Sequence, residues 1–225
     1  MRTLRAILPS FFLILSSTSY CQLSEVELFA GPTVTNMWGN GYLNKNNGFK
    51  LSFFAGGGIT LSFRERSFAA ARLFYERKGF KEVKAITFRD ANNKVLAKGD
   101  LTINSTYDYI TMPLMYGWKF GEDDSWRLHT GPYIAYLLHQ KNYYSELYTS
   151  PAHSDSQIST IKRIDLGLSL GLEKYIRWKE TLDIKFGVLT STGMLNISKV
   201  PVYDNESIRH LSIDIVAGMV YKLDN

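Results

Sequence analysis

The sequence predicts an all-β fold, an eight-stranded antiparallel transmembrane β-barrel built as an up-and-down meander. Three observations carry this. Segments that alternate apolar and polar residues recur almost to the end of the chain, with no helical period of useful length between them. The connections between them alternate strictly between short and long, as in outer-membrane barrels. The polar side of the segments is rich in glycine, which suits a crowded interior better than a surface facing water.

The chain opens with MRTLRAILPSFFLILSSTSYCQ. Arg2 and Arg5, then an apolar stretch from Ala6 to Leu15, then serines and threonines, follow the order of a secretory signal peptide, too short to span a membrane. Ser19 and Cys21 give a small-x-small pattern, so residues 1–21 are expected to be the leader and 22–225 the barrel domain. Acylation of Cys21 is the weaker reading, because Tyr20 stands where such sites prefer a small residue. Of 26 basic and 21 acidic residues, two arginines leave with the leader. The remaining charge of +3 does not argue for nucleic acid. The one cysteine leaves too, so disulfides play no part. No later apolar run reaches the 18 or more residues of a spanning helix.

Taken in order, VELFAGPTV (26–34) sets Val26, Leu28 and Ala30 against Glu27, Phe29 and Gly31. LSFFAGGGITLSF (51–63) sets Leu51, Phe53, Ile59 and Leu61 against Ser52, Gly56, Gly58 and Thr60. FAAARLFYERK (68–78) opposes Ala69, Ala71, Leu73 and Tyr75 to Arg72, Glu76 and Lys78. YDYITMPLMYGWKF (107–120) opposes Ile110, Met112, Leu114 and Trp118 to Thr111, Gly117 and Lys119. WRLHTGPYIAYLLH (126–139) places Leu128, Ile134 and Tyr136 opposite Arg127, His129, Tyr133 and His139. IDLGLSLGLEK (164–174) has its leucines on one face and Asp165, Gly167, Gly171 and Glu173 on the other. LDIKFGV (182–188) and LSIDIVAGMVYKL (211–223) repeat the pattern with Asp183 and Lys185, then Asp214 and Lys222. Most of these reach the roughly 9–11 residues a tilted membrane strand needs. Pro113 and Pro132 lie inside segments, where each is expected to mark a bulge. The tight connections are RERS (64–67), GEDDS (121–125) and RWKE (177–180). The long polar ones are roughly 35–50, 79–103, 140–160 and 196–208.

Alternation alone does not say which face meets which solvent. A soluble, lipocalin-like barrel buries its apolar face, and a membrane barrel turns it to lipid. The glycines and the mixed charges favour the second, with Glu27, Arg72, Glu76, Lys119, Arg127, Asp165, Glu173, Asp183, Lys185 and Asp214 as lumen-facing candidates that must pair. Phe63, Tyr116, Trp118, Phe120, Trp126 and Tyr221 flank the short turns, where an aromatic girdle would sit.

Four stretches resemble a known family. YDYITMPLMYGWKFG, LHTGPYIAYLLHQK, FYERKGF and IDLGLSLGLEK are similar, in order, to motifs of the PorT-like outer-membrane β-barrel family of Bacteroidetes, and the likeness runs through the whole mature chain. It implies an eight-stranded outer-membrane barrel without one common activity, some members serving protein secretion. Arg72 departs from the inward glutamate frequent there, implying rearranged lumen pairs.

The expected role is structural or interactive, as an accessory of secretion or envelope assembly, with no open pore, because eight strands leave room only for side chains. Expected partners are outer-membrane lipid, lipopolysaccharide and an envelope or secretion protein met through the long loops. Two alternatives stand beside this: a lipocalin-like periplasmic or secreted binder, and a lipid-modifying enzyme using His139, Ser145 and Glu146. GGG at 56–58 lacks the helix a phosphate loop requires. His129 and His139 share a face, but ten residues separate them by roughly 33 Å. His153 and His210 fall in or near loops. No catalytic, cofactor or metal site is therefore assigned.

Overall fold

The computed structural model describes residues 22–41, 47–63, 65–89, 92–146, 150–202 and 206–223. The expected leader lies outside the described residues. The alternating segments become eight long strands: β1 (Gln22–Trp38), β2 (Lys50–Ser62), β3 (Ser67–Arg89), β4 (Val95–Phe120), β5 (Trp126–Tyr144), β6 (Ile164–Lys179), β7 (Leu182–Gly193) and β8 (Arg209–Lys222). Each pairs antiparallel with the next. β8 then returns to β1, from Glu25↔Lys222 to Trp38↔Arg209. The ring is closed, so no strand leaves a row of unpaired backbone groups to face hydrocarbon.

The faces are those of a membrane barrel. Leu28 is 64% exposed and Leu51 73%, while Asp165, Lys185 and Asp214 are each 0% exposed. A soluble binder needs these faces exchanged, so the lipocalin-like alternative is overturned. Aromatic side chains gather at the short-turn end: Tyr116 against Trp118 at 4.8 Å, Phe120 against Trp126 at 6.5 Å. Trp178 joins them.

Several details depart from the sequence reading. β3 and β4 run far past a membrane's thickness, and the polar stretch expected to be a loop at 79–103 is largely a two-stranded ribbon, paired from Gly79↔Thr106 to Arg89↔Val95. Short strands Asn47–Gly48 and His153–Asp155 add to the outer parts of β3 and β5, so one side of the barrel rises into a wall. β6 continues to Lys179, and the turn is Glu180–Thr181.

The prolines do not shift register. The β3–β4 ladder skips Arg72–Leu73 opposite Met112–Pro113 and resumes unchanged. The β4–β5 ladder skips Leu114–Met115 opposite Gly131–Pro132, and β1–β8 skips Gly31–Pro32 opposite Ile215–Val216. Each proline lacks an N–H to donate, so the ladder opens locally without an inserted residue. A true register shift falls instead between Asp108 and Tyr109 on β4. It reverses the facing of β5 beyond Leu138, which leaves His139 exposed while His129 is buried. The two histidines thus do not share a face.

Candidate functional site

Inward side chains stack in layers that follow β1 from Glu25 to Met37. At the short-turn end a cavity of about 530 Å³ is lined by Glu25, Lys119, Arg127, Lys174, Asp183 and Lys222 with the Glu122–Asp124 turn. Arg127 donates from both terminal nitrogens to Glu25, at 2.5 and 2.7 Å, and its guanidinium lies 3.6 Å from the Tyr175 ring centre. Lys222 Nζ reaches the two Asp183 oxygens at 3.0 and 2.8 Å. Lys119 donates to Ser62 Oγ at 3.4 Å.

Above this lies a buried quartet. Arg72 Nε donates to Glu27 at 2.5 Å and its Nη2 to Glu173 at 2.7 Å. Lys185 Nζ donates to Glu27 at 2.7 Å and to Glu173 at 3.3 Å. Two acids and two bases alternate around a square, so the group is neutral and each carboxylate meets two cations. Tyr175 Oη adds a bond to Glu173 at 3.1 Å, and His129 Nε2 stands 3.5 Å from the same carboxylate. Charges taken so far from water persist only when paired this fully. Phe29 caps the square, with Lys185 Nζ 4.7 Å and the Arg72 guanidinium 5.3 Å from its ring centre. It packs edge-on to Phe74 and tilted to Phe54, in a cluster with Phe68, Met115, Leu189 and Val216.

The next layer is acid-rich. Glu76 pairs with Lys78 at 3.3 Å and accepts from Thr111 at 3.2 Å. Asp165 accepts from Tyr133 at 3.0 Å. Both oxygens of Asp214 lack a hydrogen-bond partner among the described residues. Lys78 also lies over the rings of Tyr133 and Tyr109, at 4.8 and 5.5 Å.

The long-loop end is closed by a second, apolar seal of Met37, Phe80, Tyr107, Tyr109, Leu137 and Ile197, backed by Ile158, Ile161 and Ile208. Backbone bonds tie the two covering loops together: Lys162 N–H donates to Ile197 at 2.7 Å, and Lys199 N–H to Thr160 at 2.8 Å. Among the described residues, ion pairs thus cross the lumen below and apolar side chains cross it above.

All ten lumen candidates face the interior; nine are buried, and Lys119 is half-buried at the mouth. The structure brings Glu27, Arg72, Glu173 and Lys185 together and holds Arg127, Asp183 and Lys119 near the cavity, with Glu76, Asp165 and Asp214 higher up. Sequence reasoning missed Glu25 and Tyr175, the partners of Arg127 and Glu173. Each lies one residue beyond the segment assigned from alternation, with the right parity to be found. Among the described residues no group of three or more His, Cys, Asp or Glu side chains could hold a metal.

Among solved structures the chain is similar to Ail of Yersinia pestis, at 12% identity over 89% of this chain and 100% of that one, with a TM-score of 0.45. It is similar too to neisserial surface protein A (12% identity, 88% and 97% covered, TM-score 0.45) and to Escherichia coli outer membrane protein W (12%, 90% and 99%, 0.41). No curated protein matches. The family model described as outer membrane protein beta-barrel domain matches residues 17–221; the closed ring with its apolar face outward is the architecture that description names, and the chain belongs to this family of outer-membrane β-barrels.

Proposed function

We propose that this outer-membrane barrel is a structural or interaction protein, an accessory of protein secretion or envelope assembly, and neither a diffusion pore nor an enzyme. The double seal of the lumen carries this reading. The Glu27–Arg72–Glu173–Lys185 quartet across the barrel and the apolar cluster around Ile197 support a closed lumen, as does the narrow interior of eight strands, which encloses only side-chain space. The surface left for function is the outer wall, where Val83 and Leu96 on the β3–β4 ribbon are exposed. The PorT-like motifs support a secretion or envelope setting, with lipid and lipopolysaccharide around the barrel and a protein partner at the wall.

His139 and Ser145 are six residues apart on extended chain, roughly 20 Å, and Ser145 is tied to Thr102 through both its N–H and its Oγ. That separation disfavours the lipid-modifying alternative.

The test has two parts. Folded protein reconstituted in planar bilayers is expected to show no unit conductance steps; regular ohmic steps would end the closed-barrel reading. Photo-crosslinkers at Val83 and Leu96, but not at lipid-facing Leu168, are expected to capture one defined envelope protein in cells. Equal capture from all three positions would refute the interaction role.

A further inference from the structure

The two rims of the barrel differ. At the short-turn end the lipid-facing rows finish in aromatic residues. At the long-loop end cations follow two of the rows, Arg77 after Leu73 and Tyr75 on β3 and Lys141 after Ile134, Tyr136 and Leu138 on β5, and the exposed Arg163 directly precedes β6. Arg163 lies over the outward Tyr136 ring at 6.0 Å.

Two of these cations, Arg77 and Lys141, converge with a third, Lys50. Lys50 belongs to β2, yet its ammonium crosses β3 to donate to Ser105 O of β4 at 2.9 Å and to Thr106 Oγ1. It crosses at Gly79, where an added Cβ would come within 3.2 Å of Lys50 Cδ and 2.0 Å of Ser105 O. Thr106 is the register partner of Lys141, whose side chain is exposed. Arg77 sits one outward position nearer the membrane, held by Asp108 at 2.7 Å, with Tyr75 donating to the same oxygen at 2.6 Å. Adjacent strands are about 4.8 Å apart and alternate residues roughly 7 Å, so the three positive groups lie within reach of one anion. Asp108 is the acid in this patch and is already engaged by Arg77. Lys50 meets only neutral oxygens in its hydrogen bonds. Three cations against one carboxylate leave the patch at +2.

We propose that Lys50, Arg77 and Lys141 seat a phosphate on the headgroup of an outer-leaflet glycolipid, outside the barrel and independent of the lumen. Position selects a lipid as the source. The side chains directly below, Phe53, Tyr75, Ile110 and Leu138, belong to the apolar band that acyl chains cover, and the Phe53 ring carries Arg77 at 5.4 Å. A lipid whose chains lie on that band places its headgroup at the height of the three cations. Guanidinium and ammonium groups at such a boundary are the usual partners of phosphate.

The test uses the full chain, folded in detergent and stripped of lipid, titrated with phosphorylated lipid A or the same glycolipid dephosphorylated, and read by native mass spectrometry. The phosphorylated form should bind more tightly. Lys50→Gln/Lys141→Gln should weaken it roughly tenfold without changing the dephosphorylated form, and Lys50→Arg/Lys141→Arg should restore it. Lys174→Gln, an exposed cation at the opposite rim, should change nothing. Should the double variant fail to fold, Lys141→Gln alone, on an exposed side chain, gives the same reading at smaller size. Equal affinity for the two glycolipids, equal loss in Lys174→Gln, or displacement of the lipid by inorganic phosphate at equal concentration would each overturn the proposal.

Discussion

Lys185 is fully buried and its ammonium reaches carboxylates on two other strands, Glu27 of β1 and Glu173 of β6. Arg72 closes the same square from β3. Removing one corner leaves two acids competing for a single cation in a place water does not reach. Lys185→Met is therefore expected to lower stability by about 3–5 kcal/mol, read as the urea midpoint in lipid vesicles. Adding Glu27→Gln to it should recover part of that loss, because the orphaned charge is gone. An additive double variant would show that the square is not a coupled unit. The acids and bases of this group were visible in the sequence by parity alone. Their pairing was not, since partners come from strands up to 158 residues apart.

At the scale of the strand, the two Gly-Pro steps do the same job on opposite sides of the ring. Proline interrupts the ladder, and the glycine before it lets the neighbouring strand close in. An added Cβ would come within 2.0 Å of Leu114 O at Gly131 and 1.8 Å of Ile215 O at Gly31. Gly131→Ala is expected to cost about 1–3 kcal/mol through forced backbone movement, lowering the fraction that shows the heat-sensitive gel mobility of a folded barrel. Gly41→Ala, where the nearest atom is a Glu206 side-chain oxygen 3.5 Å away, should be nearly silent. Glycines elsewhere make room for large inward side chains, as where the ring of His129 lies against Gly171 and Phe74 against Gly56. The β3–β4 ribbon is a separable element. A lone two-stranded hairpin is marginal, so replacing residues 83–100 by a short turn should leave the barrel's urea midpoint within about 0.5 kcal/mol. A large drop would mean that the ribbon braces the ring. Alternation marked residues 68–78 and 107–120 as strands, but not their outward continuation. Lys, Asp, Asn and Gly are sparse in ordinary strands, and only cross-strand pairing of 79–89 with 95–106 overrides that bias.

For the molecule as a whole, the tryptophans report the membrane's boundaries. The chain has four; Trp118, Trp126 and Trp178 lie at the short-turn end and Trp38 at the other, over which Arg209 sits at 5.0 Å. Fluorescence should be quenched more by lipids brominated near the headgroup than by lipids brominated at mid-chain. Stronger mid-chain quenching would displace the aromatic rows from the interface.

What the sequence determined by itself was the strand count, the pattern of short and long connections, and the apolar face turned to lipid. These are local properties, set by a period of two and by which residue types share a parity. Tertiary structure alone decided which acid meets which base, where the bulge reverses β5, how far the outer wall rises, and that Lys50 crosses a neighbouring strand to join Arg77 and Lys141. Those follow from ring closure, because register and shear bring together residues that no spacing along the chain relates.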